Sequence, residues 1–294
     1  MNIILGASGQ VGSNIVNALA NKNLPVRAIV RNPTSAFGKN IEVKIANFFN
    51  QKELIEAFKG GTTVFLLTPE NPLSTDIIGE TSIIISNYKK AIQANEIKRI
   101  VGLSCVGAHV NNNTGNILMS GMLEKEFDDL IEVEKIFIRP SYYFSNWLNF
   151  LEVVEQQGVL PSFFPENLKI DMNSPIDVAK FIAHKIAENT KWEGKKIFEL
   201  TGSQKYSSKE IADILSKLLN KRIEVFIIPK ENWKETLMSA GFTKNTSDNI
   251  IDMTQAVIDK IVFPENKDYI NILPTNLYDY FKEQLIRSGK ISET

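Results

Sequence analysis

Cysteine and histidine are almost absent from this chain. Of its 294 residues one is cysteine, Cys105, and two are histidines, His109 and His184. A single cysteine excludes internal disulfides and a thiolate metal cluster, and two histidines so far apart in sequence argue against a zinc centre, so no metal site is expected. Charge of one sign is also lacking: 33 Lys and Arg stand against 34 Asp and Glu, and both kinds are scattered. That balance argues against direct nucleic-acid binding and against a basic membrane-surface helix. No apolar run is long enough to span a bilayer, so no membrane association is expected. No basic segment precedes the first apolar strand, so a secretory signal is not expected and a cytoplasmic protein is. Repeats and low-complexity linkers are missing too. What remains is an ordinary globular composition, 43% hydrophobic, long enough for one large domain or a domain with an appendage.

Against these absences the first dozen residues carry a strong signal. Asn-Ile-Ile-Leu-Gly-Ala-Ser-Gly-Gln-Val-Gly, residues 2–12, is an apolar strand that runs into Gly6, Gly9 and Gly12. The stretch after it has a helical apolar stripe at Val11, Ile15, Val16 and Leu19. A glycine turn between a strand and a helix leaves backbone N–H groups free at the positive end of the helix dipole, which suits a pyrophosphate. Gly6 permits the turn, Gly9 lets a phosphate approach, and Gly12 lets the helix pack on the strand. Ser8, Gln10 and Val11 belong to the same loop.

The first half then alternates. Strands are expected at Asn2–Leu5, Pro25–Val30, Ile41–Ile45, Thr62–Leu67, Arg99–Ser104 and Val133–Arg139. Helices are expected up to about Asn21, over Gln51–Phe58, from about Thr75, and near Leu118–Leu130. Such alternation implies a Rossmann-type, doubly wound parallel sheet with right-handed crossovers. The short connection before Ile41–Ile45 leaves the strand order there open. Beyond residue 140 the pattern loosens. A helix over Tyr143–Gln156, a loop holding Pro161 and Pro165, a helix after Pro175 and a strand at Lys196–Leu200 are expected. An amphipathic helix over Ser207–Leu219, a strand at Arg222–Ile228 and two or three further helices follow, with Thr275 as N-cap of the last. The division is therefore a dinucleotide-binding domain over 1–140 and a smaller α+β substrate lobe over 141–294, parts of which can return to the sheet.

The second strand ends Ala-Ile-Val-Arg-Asn. NAD-binding sheets place an Asp or Glu there for the ribose 2′-hydroxyl, whereas Arg31 suits a 2′-phosphate, with Lys39 in the next loop able to assist. NADP(H) is favoured over NAD(H).

At this point the sequence resembles the NmrA-like group of atypical short-chain dehydrogenase/reductases, including quinone oxidoreductase-like members. The resemblance rests on Gly6–Gly12, Val30-Arg31, Arg139-Pro140 through Asn146, Ser174-Pro-Ile-Asp-Val-Ala179, Phe198-Glu-Leu-Thr-Gly202 and Pro274-Thr-Asn-Leu, in that order. It implies that Arg31 meets the adenosine phosphate and that Leu67, Thr68 and Pro69 run along the cofactor. It also implies that Ser104, Cys105 and Val106, with Pro140, Tyr142 and Tyr143, flank the nicotinamide.

Ordinary members of the wider superfamily use a serine after the fifth strand and a Tyr-x-x-x-Lys on the next helix, the lysine lowering the tyrosine pKa. Ser104 fits the first position, but Gly121 stands where the tyrosine belongs, ahead of Lys125. The one Tyr-x-x-x-Lys, Tyr278 and Lys282, lies near the C-terminus and reads as a coincidence of helical spacing. The remaining catalytic candidates are Tyr143, Asn146, Lys125 and His109. Each has a plainer reading: an aromatic cluster of Tyr142 and Tyr143 with Phe144 and Trp147, a solvated lysine, a solvated loop histidine. Cys105 reads as a small buried hydrophobe. The leading expectation is a reductase that passes hydride to a quinone or similar small-molecule acceptor without the usual tyrosine. The alternative is a non-enzymatic NADP(H) sensor working through a protein partner or as a homodimer. A nucleotide-sugar epimerase is a weaker third reading, because it depends on the missing tyrosine.

Overall fold

A computed structural model of the chain describes residues 1–34, 36–38, 40–188 and 190–292. Its strands begin as the apolar pattern requires. β1 (Asn2–Ile4), β2 (Val26–Val30) and β3 (Glu42–Ile45) alternate with α1 (Gln10–Ala20) and α2 (Gln51–Phe58). β4 (Thr63–Leu67), α3 (Ile77–Ala94), β5 (Arg99–Leu103), α4 (Ile117–Glu126) and β6 (Glu134–Pro140) complete the first half. After it come β7 (Tyr142–Tyr143), a 3₁₀ turn over Phe144–Phe150, α5 (Leu151–Gln157), β8 (Val159–Ser162), β9 (Ile170–Asn173) and α6 (Pro175–Ala187). β10 (Lys195–Gly202), β11 (Lys205–Tyr206), α7 (Ser208–Leu219) and β12 (Glu224–Ile227) follow. The chain closes with α8 (Trp233–Ser239), α9 (Lys244–Ile258), β13 (Ile270–Leu273) and α10 (Leu277–Arg287).

Eight strands form one sheet in the order β13-β10-β6-β5-β4-β1-β2-β3, every pair parallel. β3 therefore takes the edge beside β2, which resolves the order the sequence left open. Helices cover both faces. One face packs Ile15, Val16 and Leu19 of α1 and Val178, Ile182 and Ile186 of α6 against β1, β2 and β6. The other packs α2, α3 and α4 around Phe58, Tyr88, Ile92 and Phe127. The strand order reverses between β1 and β4, so the connections after those strands leave toward opposite faces, and ligands bind in the crevice this opens in such sheets.

The second half is not a continuous domain. β10, β13 and α6 belong to the main sheet layer, while β7, β9 and β11 form a small sheet and β8 pairs β12 in another. A third core, built on Phe144, Trp147, Tyr206, Leu215 and Phe281, holds this smaller lobe together. Local signals fix most helix starts: Asn50, Asp76, Ser174 with Pro175, and Ser207 with Glu210 in a capping box.

Four expectations change. The cap of the last helix is Asn276, whose side chain accepts from Asp279 N, while the Thr275 backbone N–H goes to Asp177 Oδ2 at 3.0 Å. The helix expected to reach Leu130 stops at Glu126, where the Lys195 ammonium, at the start of β10, donates to the Glu124 carbonyl of the last turn at 2.8 Å. The helix expected from Tyr143 begins as a strand instead, since Tyr142 and Tyr143 pair with Met172 and Asn173. Pro161 lies within β8 rather than a loop; β8 has one partner, so the missing N–H faces an open edge.

Candidate functional site

Gly6 closes the turn after β1 in the left-handed region at φ +60°, and a Cβ there would stand 2.8 Å from Leu67 Cδ2. The Gly9 N–H donates to the Gly6 carbonyl at 2.9 Å, and any side chain at Gly12 would collide with that carbonyl. Ser8, Gly9 and Gln10 form an exposed lip, while Val11 and Gly12 are buried behind it. Gly9 is the N-cap of α1 and supplies no side-chain acceptor to its first-turn N–H groups. The result is a backbone-lined cradle at a helix N-terminus, which fits a pyrophosphate in shape and in donor chemistry.

Arg31 leaves β2 beside this cradle. It is exposed and forms no ion pair among the described residues, and its guanidinium lies close enough to act on the Tyr88 phenol. Tyr88 in turn donates to the carbonyl of Leu67 at 3.3 Å. Arg31, Leu67, Thr68 and Pro69 thus share one side of the crevice with the glycine loop. Lys39 lies outside the described residues.

The other wall comes from β5 and β6. Ser104 N donates to Ile138 O and Val106 N to Pro140 O, at 2.8 and 3.0 Å, so the two strand ends run on together past the sheet. Tyr142, Tyr143 and Asn146 are half-buried there. Burial pushes the Tyr142 phenol up to about 12, against a partly offsetting hydrogen bond with Asn146. Burial drives Tyr143 higher still, and no ammonium lowers either phenol. These tyrosines are neutral hydrogen-bond donors rather than bases. Cys105 is pushed up to about 12 by burial, and its thiol bonds Ser120 Oγ at 3.3 Å, so it is no thiolate nucleophile.

The structure explains the missing tyrosine. A Cβ at Gly121 would stand 2.6 Å from the carbonyl oxygen of Ala108, because α4 lies directly on the loop that follows β5. The Lys125 ammonium is exposed and bonds the Asn111 side chain in that loop, which ties the loop down. His109 has both ring nitrogens buried without a partner and sits edge-on to Phe263, ring centroids 4.9 Å apart. Tyr278 and Lys282 are on α10 in the smaller lobe, where Lys217 lies 5.0 Å from the tyrosine ring. They are remote in the fold from the glycine loop.

Two groups escaped the sequence reading. The first is an ion cluster beneath the crevice. Arg139, 2% exposed, is held by Glu124 and Glu265 and lies 3.6 Å from Glu199. Glu124 also accepts the Ser104 hydroxyl at 2.5 Å. The serine expected beside the nicotinamide therefore spends its hydroxyl on a buried carboxylate. Glu199 accepts the backbone N–H groups of Glu265 and Asn266, both at 2.9 Å, and so fastens the segment after α9 across the sheet edge. A charged residue inside the apolar run Ile-Phe-Ile-Arg was the available signal. The second is Glu70, just beyond β4, whose Oε1 is 3.5 Å from Asn116 Nδ2.

A separate cavity of about 340 Å³ opens at the amino ends of the central strands, around Thr62, Arg99, Glu134 and Glu188. Arg99 is held there by Glu134 and by the carbonyls of Glu188 and Thr190, with Trp192 beneath it at 4.0 Å. Four of the five guanidinium N–H groups are spent on these partners. Among the described residues no group of His, Cys, Asp and Glu is arranged to hold a metal, and no helix is long and apolar enough to cross a membrane.

Comparison with known proteins follows this geometry. The model of the NmrA-like family matches residues 2–275. An NAD(P)H azoreductase of Xenophilus azovorans is 23% identical, with 84% of each chain covered. An NADPH-dependent quinone oxidoreductase of Escherichia coli, solved with NADPH, superposes with a TM-score of 0.80 at 23% identity, covering 97% of this chain and all of that one. A protein described as a nucleoside-diphosphate-sugar epimerase of Staphylococcus aureus superposes at 0.78 with 21% identity, covering 96% of this chain and 100% of that one.

Proposed function

Because the chain belongs to the NmrA-like family, we propose that it is an NADP(H)-dependent reductase that passes hydride to a quinone or a similarly easily reduced acceptor. The observation that carries this reading is the pairing of the cradle at Gly6–Gly12 with the exposed, unpaired Arg31 at the end of the neighbouring strand. In this reading the backbone of Ser8–Gly12 holds the pyrophosphate and Arg31 the 2′-phosphate. Leu67, Thr68 and Pro69 line one flank of the dinucleotide, and Cys105, Val106, Pro140, Tyr142 and Tyr143 the other. NADPH supplies the hydride chemistry when bound. The protein's part is to orient the acceptor, exclude water and place neutral donors beside it.

The acceptor class follows from what the walls lack. Alcohol and sugar chemistry needs an activated phenolate, and here both crevice phenols are pushed up while Gly121 leaves no room for another. That weighs against an epimerase in spite of the shared fold. The azoreductase and quinone oxidoreductase relatives support a reductase. The blocked Gly121 is equally compatible with a second reading, a redox sensor that binds NADP(H) without turnover.

Consumption of NADPH with a panel of quinones, measured beside the affinity for NADPH and NADP⁺, separates the two. Turnover supports the reductase. Tight binding of one redox state with no turnover supports the sensor.

A further inference from the structure

Two loops that leave the carboxyl edge of the sheet meet under one helix. The loop after β4 starts with Leu67, Thr68 and Pro69, and a few residues later its carbonyls face the first turn of α9. The Thr243 N–H donates to Pro72 O at 3.0 Å, and the Thr243 hydroxyl donates to Ser74 O. The Thr246 hydroxyl donates to Asn71 O at 3.2 Å and lies 3.4 Å from Ser74 O. In return, the Ile77 N–H donates to Asn245 Oδ1 at 2.9 Å. The loop after β5 starts with Cys105 and Val106 and meets the same part of the chain. A Cβ at Gly115 would collide with the Asn249 carbonyl of α9, and one at Gly107 would stand 2.9 Å from Val262 Cγ1, just past that helix.

This joint is polar. The side chains that α9 buries are Thr246, Ser247, Thr254 and Ala256, three hydroxyls and a methyl in place of an apolar stripe. Its last turn, through Val257 and Ile258, packs on the apolar core of the smaller lobe. Asp248 pairs with Lys234 of α8 at 2.6 Å, and the Trp233 indole N–H of α8 donates to Ile228 O at 2.8 Å. The two helices are thus anchored to the smaller lobe, and the first turn of α9 is clasped to the loop after β4. Thr114 and Asn116, on either side of Gly115, and Ser247 on the helix each keep a buried polar atom without a partner. Little apolar surface closes this joint, so hydrogen bonds hold it, and such a contact opens at lower cost than a packed core.

We propose that Thr243 and Thr246 determine which acceptors the crevice takes, by clasping α9 down over its acceptor end. This rests on the reductase reading above, in which the nicotinamide lies between Leu67–Pro69 and Cys105–Val106. An acceptor that receives hydride there occupies the space that α9 and the segment after it cover. With the clasp made, a one-ring quinone fits beneath the helix. A three-ring quinone has to lift it, which breaks the threonine bonds and leaves the Asn71 and Ser74 carbonyls unpaired. That cost falls on the bulky acceptor alone. NADPH, seated along the glycine loop and Arg31, does not meet the clasp. Thr246 is 1% exposed, so it acts through the position of the helix and not by touching the acceptor.

The test compares kcat/KM for 1,4-benzoquinone and 9,10-phenanthrenequinone in wild type, Thr246→Val and Thr246→Ser. Valine keeps the shape of threonine and removes the hydroxyl, whereas serine keeps the hydroxyl. Wild type favours benzoquinone. Thr246→Val moves the ratio toward phenanthrenequinone by about tenfold, and Thr246→Ser returns it to the wild-type value. NADPH affinity, followed by fluorescence, is unchanged in both, which shows that they are folded. Hydrogen exchange of the segment 244–258, read by mass spectrometry, is faster in Thr246→Val, which reports the loosened clasp without turnover. Asn245→Ala removes the acceptor of the Ile77 N–H and moves the ratio the same way, so the test stands if the valine variant does not fold. Turnover with the wild-type ratio in Thr246→Val and Asn245→Ala, or a shift that serine does not reverse, would overturn the clasp alone. A wild-type protein that binds NADPH but turns over neither quinone would overturn the reductase reading, and the clasp's role with it.

Discussion

Ser104 Oγ donates to Glu124 Oε1 across 2.5 Å, and the same carboxylate takes two bonds from the Arg139 guanidinium at 2.7 and 2.8 Å. The residue that a short-chain dehydrogenase would expose to its substrate is here part of the frame that joins β5, α4 and β6. Loss of the serine hydroxyl leaves the ion pair intact. Loss of the carboxylate strands a buried guanidinium. Ser104→Ala is therefore expected to cost about 1–2 kcal/mol and to leave NADPH affinity nearly unchanged. Glu124→Ala is expected to cost about 3–5 kcal/mol. Urea unfolding of both variants, with NADPH titrations beside it, checks the contrast.

Restoring the ordinary tyrosine does not restore ordinary chemistry. The Cβ of a residue at position 121 meets the Ala108 carbonyl at 2.6 Å, and backbone yields less readily than a side-chain tip. Gly121→Ala is expected to lose about 1–3 kcal/mol to overpacking, more than the roughly 1 kcal/mol it gains in helix propensity. Gly121→Tyr is expected to lower Tm further and to confer no alcohol dehydrogenase activity. A thermal melt of the two variants distinguishes this from a merely absent side chain, for which both would be neutral.

The cradle and the guanidinium make separable predictions. A methyl at Gly12 meets the Gly6 carbonyl, so Gly12→Ala is expected to weaken NADPH and NADH alike. Arg31→Glu removes about 1.5–3 kcal/mol of charge-assisted hydrogen bonding to a 2′-phosphate. That corresponds to a loss of roughly tenfold to a hundredfold for NADPH, with NADH nearly unaffected. Calorimetric titration of both dinucleotides against both variants is the check.

Acid should loosen the segment that crosses the sheet edge. The Arg139 guanidinium beside Glu265 holds its carboxyl below the ordinary value. A depressed folded-state pKa contributes stability that is complete above the unfolded value, near 4.5, and is lost as pH falls toward the folded value. Glu265 is half exposed, so the contribution is small, about 1 kcal/mol or less. Wild-type Tm should thus drop on acidification below about pH 5 by more than that of Glu265→Gln. Parallel melts between neutral and acid pH measure the difference.

Much of the fold was legible because its signals are local. The glycine turn, the apolar strands, the helix after Pro175 and the amphipathic stripe over Ser207–Leu219 each involve neighbours within a few residues, and the structure forms them where the pattern indicates. The Thr275 reading failed by one position because Asp177, almost a hundred residues earlier, takes its N–H and leaves the cap to Asn276. The helix expected to reach Leu130 ends at Glu126, and its last turn is met by Lys195, another distant partner. β13 escaped because Ile270–Leu273 is four residues long, and only its pairing with β10 makes it a strand. The site follows the same rule. Gly6–Gly12 and Arg31 announce themselves by type and spacing, whereas Glu124, Arg139, Glu199 and Glu265 become a unit only through the sheet order. Glu70 has no signature in sequence, because an acidic residue in a proline-containing loop meets Asn116 only once α4 is in place.

The central claim is that this crevice moves a hydride from NADPH to an acceptor. It is tested most directly with NADPH deuterated on the transferable position of its nicotinamide, incubated with a quinone and the wild-type protein. The account predicts NADP⁺ and reduced quinone in equal amounts, a primary isotope effect for one deuterated face only, and no such reaction with Gly12→Ala. Tight NADPH binding with no oxidation, or oxidation that shows no isotope preference between the faces, would contradict it.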